Sequence, residues 1–202
     1  MNQITLSENV MVSDPCYSLD TWCQTKLSNV LPGKYNVETD NADLGAWGNR
    51  ISSITAIHEN YRDNHTWMQH SDCGVDSGQC GIFCMTSYRN DQIAEGITTP
   101  PLSSPFVIPF NQEGDVWYNK MCNFTLGGEG WGLYDTGVVS SSGIGDGMYP
   151  LEVMMDGDNV VGIKVVFLDE DEEDEGDCCG VCGNDLEEDG TCDYCKDNND
   201  QD

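Results

Sequence analysis

The sequence predicts a mainly β protein: an antiparallel β-sandwich or open barrel with one or two short helices, followed by a small four-cysteine tail of zinc-knuckle type. Three observations predict it. Short alternating or β-branched runs recur along the first 168 positions, and 22 glycines punctuate the chain. The best local signal is a hairpin at the end of that stretch. After Leu168 the composition changes abruptly, from mixed residues to an unbroken acidic run and then two Cys-x-x-Cys pairs. Many short strands between turn residues favour antiparallel architectures.

Taken in order, residues 4–6 and 10–12 read as short strands. Residues 18–30 read as a helix: Ser18 or Asp20 can cap it, Leu19, Trp22, Cys23, Lys26, Leu27 and Val30 recur at helical spacing, and Pro32-Gly33 stops it. Residues 34–38 alternate as a strand, 51–58 form a second rich in β-branched side chains, and 79–85 a third. Residues 87–96 suit a short helix closed by Gly96. Residues 98–109 hold Pro100, Pro101, Pro105 and Pro109 and read as an ordered excursion. Residues 116–126 fit a strand or a helix equally. A strand over 133–139 leads through the 140–147 loop into the hairpin, where 149–155 and 159–168 flank Asp156-Gly157-Asp158. Val161, Ile163, Val165 and Phe167 alternate on one face of it. The five tryptophans (Trp22, Trp47, Trp67, Trp117 and Trp131) are expected in the core and at sheet edges.

The 202 residues carry 36 acids against 8 bases, a formal net charge of -28. The excess is uneven: residues 1–168 hold 20 acids and seven bases, and residues 169–202 hold 16 acids and Lys196. Residues 169–177 therefore read as a solvated, self-repelling linker between a body (1–168) and a tail (178–202). Eight bases cannot build the basic stripe that direct nucleic-acid binding needs, nor dock the chain on an anionic membrane. No secretory signal or long apolar run is visible, so a cytoplasmic location is expected.

Eleven cysteines divide between body and tail. With no sign of an oxidising compartment, Cys16, Cys23, Cys73, Cys80, Cys84 and Cys122 of the body are expected as small, partly buried hydrophobes. In the tail, Cys179, Cys182, Cys192 and Cys195 form two Cys-x-x-Cys pairs nine residues apart, a ligand set that suits tetrahedral Zn²⁺. Four thiolates leave no open coordination position, so the ion would be structural. Apparent binding energies of about 10–16 kcal/mol would fold a module too small to build its own core. Cys178 is spare and could replace Cys179. A looser group, His65, His70, Cys73, Cys80 and Cys84, crowds into the body without a familiar ligand spacing.

Three polar motifs stand in turns of the body. They are Ser13-Asp14-Pro15-Cys16-Tyr17, Asp76-Ser77-Gly78-Gln79, and Ser140-Ser141-Ser142-Gly143-Ile144-Gly145-Asp146-Gly147. Together with Trp47-Gly48, Gly81-Ile82-Phe83, Trp117-Tyr118 and the closing hairpin, their order resembles a domain-of-unknown-function family of β-rich proteins from bacteria and their phages. The resemblance covers roughly residues 8–168. It implies a β-rich body, a bacteriophage-like origin and a role for the motif loops, but no reaction. Cys84 departs from the pattern, where similar sequences tend to place an acid.

Several functions fit these loops. Asp14, Cys16, Asp76, Ser77, Gln79, Ser142 and Asp146 would, if they meet, suit a hard cation such as Ca²⁺ or Mg²⁺, or an anion held by backbone N–H groups. With Cys16 as nucleophile and His58 or His65 as base they would suit a small hydrolase or transferase. The same residues also suit plain turn chemistry. The first expectation is a binding or accessory protein that engages a host protein or small ligand. The alternatives are the enzyme and an acidic nucleic-acid mimic that blocks a DNA-binding protein.

Overall fold

The computed structural model describes residues 2–62, 66–102 and 112–168. The chain divides into two units, Met1–Leu168 and Asp169–Asp202, and the second, with the acidic linker and all five tail cysteines, lies outside the described residues. The described part is mainly antiparallel β, as expected, with eleven strands in two sheets and two short helices. The strands are β1 (Gln3–Leu6), β2 (Val10–Ser13), β3 (Thr25–Leu27), β4 (Gly33–Asp43), β5 (Asn49–His58), β6 (Trp67–Val75), β7 (Gln79–Cys84), β8 (Trp131–Tyr134), β9 (Gly137–Ser141), β10 (Gly147–Asp156) and β11 (Asn159–Val166). The helices are α1 (Asp91–Ala94) and α2 (Asp115–Leu126). The first sheet has the order β1-β4-β5-β11-β10-β6 and the second β3-β2-β7-β9-β8.

Alternation along the strands places two cores. Val10, Val12, Ile82, Cys80 and Val138 from the second sheet share one buried cluster with Ile4, Val37, Ile54, Leu151 and Ile163 from the first. Met11, Phe83 and Val139, on the opposite face of the second sheet, join Tyr88, Trp117, Met121 and Phe124 in another. The second sheet is thus covered on both faces. This is why β2 and β7 are buried at every position. The long β4, by contrast, alternates with exposed residues.

Several local expectations change. Residues 18–30 form no helix. Cys23, Leu27 and Val30 are buried at what looks like helical spacing, but the segment turns through Asp20 in the left-handed region (φ 68°) and then pairs as β3 with β2. Cross-strand pairing decides the outcome, and Leu19 and Trp22 are left in solvent. The ambiguous 116–126 is helical, because Trp117, Met121 and Phe124 lie on one helical stripe against the second sheet. The helix over 87–96 shrinks to the single turn of α1, capped by the Asn90 side chain, which accepts from the backbone N–H groups of Gln92 and Ile93. The strand over 133–139 is two strands, β8 and β9, joined at Asp135-Thr136. The strand over 34–38 extends to Asp43 because β5 supplies partners from Tyr35 to Asp43. In the closing hairpin the two-residue loop is Gly157-Asp158, with Gly157 at φ 58°. Trp117 alone of the tryptophans is fully buried; Trp22 is 85% exposed and Trp47 71%. Among the described residues, no helix is long and apolar enough to cross a membrane.

The contact between α2 and the second sheet needs glycine. A Cβ on Gly132 of β8 would lie 2.1 Å from Cδ1 of Phe124. The aromatic ring fills that space, so Gly132→Val is expected to destabilise the fold by about 1–3 kcal/mol, the usual cost of overpacking. Denaturant unfolding checks this, with a lowered midpoint and an unchanged m-value as the outcome.

Candidate functional site

The topology brings the three motif loops to one end of the two sheets. The chain crosses from the first sheet to the second between β6 and β7, through Asp76-Ser77-Gly78. It crosses back between β9 and β10, through the 142–146 loop. Because Val75 pairs with Gly147 and Gln79 with Ser141, the two crossings run side by side. The third loop leaves β2 at Ser13, which pairs with Gly81 of β7. The three motifs therefore meet, as a single site would require.

Asp14 is the centre of the meeting. Its carboxylate is fully buried and every hydrogen bond it accepts comes from a motif loop. Oδ1 takes the backbone N–H of Cys16 at 2.8 Å and the Ser77 hydroxyl at 2.7 Å. Oδ2 takes the backbone N–H groups of Asp76 at 2.9 Å and Ser77 at 2.7 Å. A buried carboxylate is tolerated only with such a set of donors. The Asp146 carboxylate repeats the device nearer the surface and accepts the Gly78 N–H at 3.0 Å. Ser142 ties the same corner, its N–H donating to the Gly78 carbonyl and its hydroxyl to the Gly145 carbonyl. Gln79 reaches the other way. Its amide nitrogen donates to Ser77 Oγ and Cys122 Sγ, and its carbonyl accepts the Thr125 hydroxyl, so the loop is fastened to α2.

Two residues that sequence reasoning passed over complete the frame. Arg89, at φ 51°, donates to the carbonyls of Pro15 and Cys16 and to that of Glu113, and forms a buried ion pair with Asp115 at 3.0 Å. The Tyr88 hydroxyl lies 2.7 Å from the Tyr17 carbonyl, to which it donates, and accepts from the Gln24 amide. A lone Arg-Asn-Asp run after a strand gives no signal of this kind. A basic residue in a chain with so few was the available hint.

The chemistry of this arrangement is directed inward. The Cys16 thiol is half-buried, and its pKa is raised well above the ordinary value, first by burial and then by the charge of Asp14. Both oppose the thiolate a nucleophile needs. The expected base does not reach it. His58 ends β5 beside Tyr35 and Tyr61, and Tyr61 bonds Asp156 at the far end of β10 from Gly147. His65 lies outside the described residues. Asp76 and Asp146 are exposed and contribute to the site through backbone and corner contacts. The looser His/Cys group also disperses: His70 is exposed on β6, Cys73 and Cys80 are in the core, and Cys84 donates to the Thr5 carbonyl near the other end of β7. Among the described residues, no three His, Cys, Asp or Glu side chains stand where they could hold a metal ion.

No protein-family model, curated protein or solved structure matches this chain. The resemblance to β-rich bacterial and phage proteins accordingly rests on its motifs alone.

What the cluster presents outward is a surface. Leu19, Trp22 and Ile144 are exposed on the loops it fixes, and Met148 is exposed at the adjoining start of β10. Beside Leu19, a cleft of about 700 Å³ is lined by Ser18, Arg89, Asn90, Asp91 and Glu113. Asp14→Ala would leave three backbone N–H groups and the Ser77 hydroxyl without their acceptor. A loss of about 3 kcal/mol or more is expected, read as a lower urea midpoint. Loss of amide-exchange protection confined to residues 14–17 and 76–78 would accompany it.

Proposed function

We propose that the body is a binding module rather than an enzyme, and that it engages a host protein carrying basic groups through the surface of the three motif loops. The observation that carries this reading is the pairing of an inward-facing, fully bonded Asp14 with outward-facing Leu19, Trp22 and Ile144 on the same loops and Met148 at the adjoining start of β10. A rigid platform with exposed large apolar side chains is suited to recognition, because little order has to be imposed when the partner arrives. The acidic excess of the body would steer a basic partner and add salt sensitivity. In this reading the two sheets form a sandwich that serves as the scaffold.

The full chain, immobilised and exposed to lysate of the host cell at low salt, is expected to retain a discrete protein. Retention should fall by about tenfold or more for Trp22→Ala, with the unfolding midpoint unchanged. It should also fall as salt rises. Retention of nothing at any salt, or equal retention by the variant, would end this reading.

The tail belongs to the same proposal as a separately folded Zn²⁺ module. Its support is the ligand chemistry of Cys179, Cys182, Cys192 and Cys195, with Cys178 in reserve. Metal analysis of the purified chain is expected to give one zinc per molecule, lost when Cys182 and Cys192 are both changed to Ser.

A further inference from the structure

The corner between β6 and β7 holds a second chemical feature, distinct from the hydrogen bonds of Asp14. Cys73, near the end of β6, and Cys80, near the start of β7, are both fully buried in the core shared by the two sheets. Their sulfurs are 3.5 Å apart, which is van der Waals contact. A disulfide requires about 2.05 Å between sulfurs. Cys73 pairs with Tyr149 in one sheet and Cys80 with Ser140 in the other, so a bond between them would join the sheets directly and enclose the Asp76-Ser77-Gly78 loop.

The other described cysteines are engaged elsewhere. Cys23 packs on Gly74, Cys122 accepts the Gln79 amide, Cys84 donates to the Thr5 carbonyl, and Cys16 is held beside Asp14, to which its backbone N–H donates. We propose that Cys73 and Cys80 are a reversible dithiol–disulfide pair, oxidised by a small disulfide such as oxidised glutathione.

The exchange proceeds in two steps. One cysteine, as thiolate, attacks the small disulfide, forms a mixed disulfide and releases one glutathione thiolate. The other cysteine, as thiolate, then attacks the protein sulfur of that mixed disulfide and releases the second glutathione. The protein loses two protons and two electrons, and one glutathione disulfide becomes two thiols. In the closed structure neither thiol is exposed, and the Cys80 pKa is raised by its hydrogen bond with Cys73 and by burial. Exchange therefore runs through opening of this corner, and should be slow in the folded chain and faster under mild denaturant.

The test uses the full-length wild-type chain. It is equilibrated with oxidised glutathione, then alkylated in denaturant and digested without reduction. Trypsin leaves Cys73, Cys80 and Cys84 in one peptide between Arg62 and Arg89. The expected peptide lacks two hydrogens, has its link placed by fragmentation between Cys73 and Cys80, and carries the alkyl label on Cys84. Dithiothreitol restores the two hydrogens. The thermal midpoint of the oxidised chain should rise by roughly 5 °C, and Cys73→Ala should abolish the rise. Recovery of Cys73 and Cys80 as alkylated thiols, as stable glutathione adducts, or linked to any other cysteine would overturn the proposal. That readout needs no variant to fold.

Discussion

One buried carboxylate organises the end of this molecule on which its unusual sequence motifs converge. Two chain crossings between sheets lie side by side there, and a third loop leaves β2 against them. Such corners expose backbone N–H groups that no sheet ladder can satisfy. Asp14 gathers three of them, with a hydroxyl, onto its two oxygens. Serine, glycine and aspartate recur in these loops for the same reason: each offers either a small donor, a permissive backbone or an acceptor. The loops owe their fixed shape to this arrangement, and the exposed apolar side chains owe their fixed positions to the loops.

A second constraint is the burial of the second sheet on both faces. A sheet covered on one side by another sheet and on the other by helices has no polar face to spare. Arg89 and Tyr88 follow from it. The described segment after β7 packs Tyr88, Ala94 and Ile97 against the outer face, and the polar groups of Tyr88 and Arg89 reach back to the loop carbonyls after β2. Burial pushes the pKa of Tyr134 up to about 12 for the same reason, since its hydroxyl sits between Ser87 and the Trp117 indole inside the helix-facing core.

Much of the fold was legible because apolar alternation and turn residues are local signals. The closing hairpin, β5 and β7 were read nearly at their bounds. The failures have physical causes. The 18–30 segment carries buried residues at positions 23, 27 and 30, which satisfies a helical template by coincidence, and only its partner β2 decides otherwise. The polar β6 is held by β10, a partner distant in sequence that no window contains. The distal half of β4 is largely exposed and polar, with no apolar alternation of its own, and is held by its neighbour β5. The motif loops are conspicuous in the sequence, because aspartate, serine and glycine stand together at strand ends, and the structure brings them together. Their role was harder to read. Whether a carboxylate faces a ligand or its own backbone depends on where the chain crosses between sheets, and that is a property of the pairing order.

The pairing order also bears on how the chain is made. β6 finds its ladder partner in β10, about 70 residues later, and β2 its partner in β7. During synthesis, the hydrogen-bonding edge of β6 must wait until almost the whole body has left the ribosome. Folds built on such distant pairings close late and slowly, and an unpaired strand is open to pairing with another chain in the interval. The acidic stretch that follows emerges only after the body, so the emerging body must get through this period largely on its own, more modest charge. Its yield should therefore be sensitive to the rate of synthesis and to the local concentration of nascent chains.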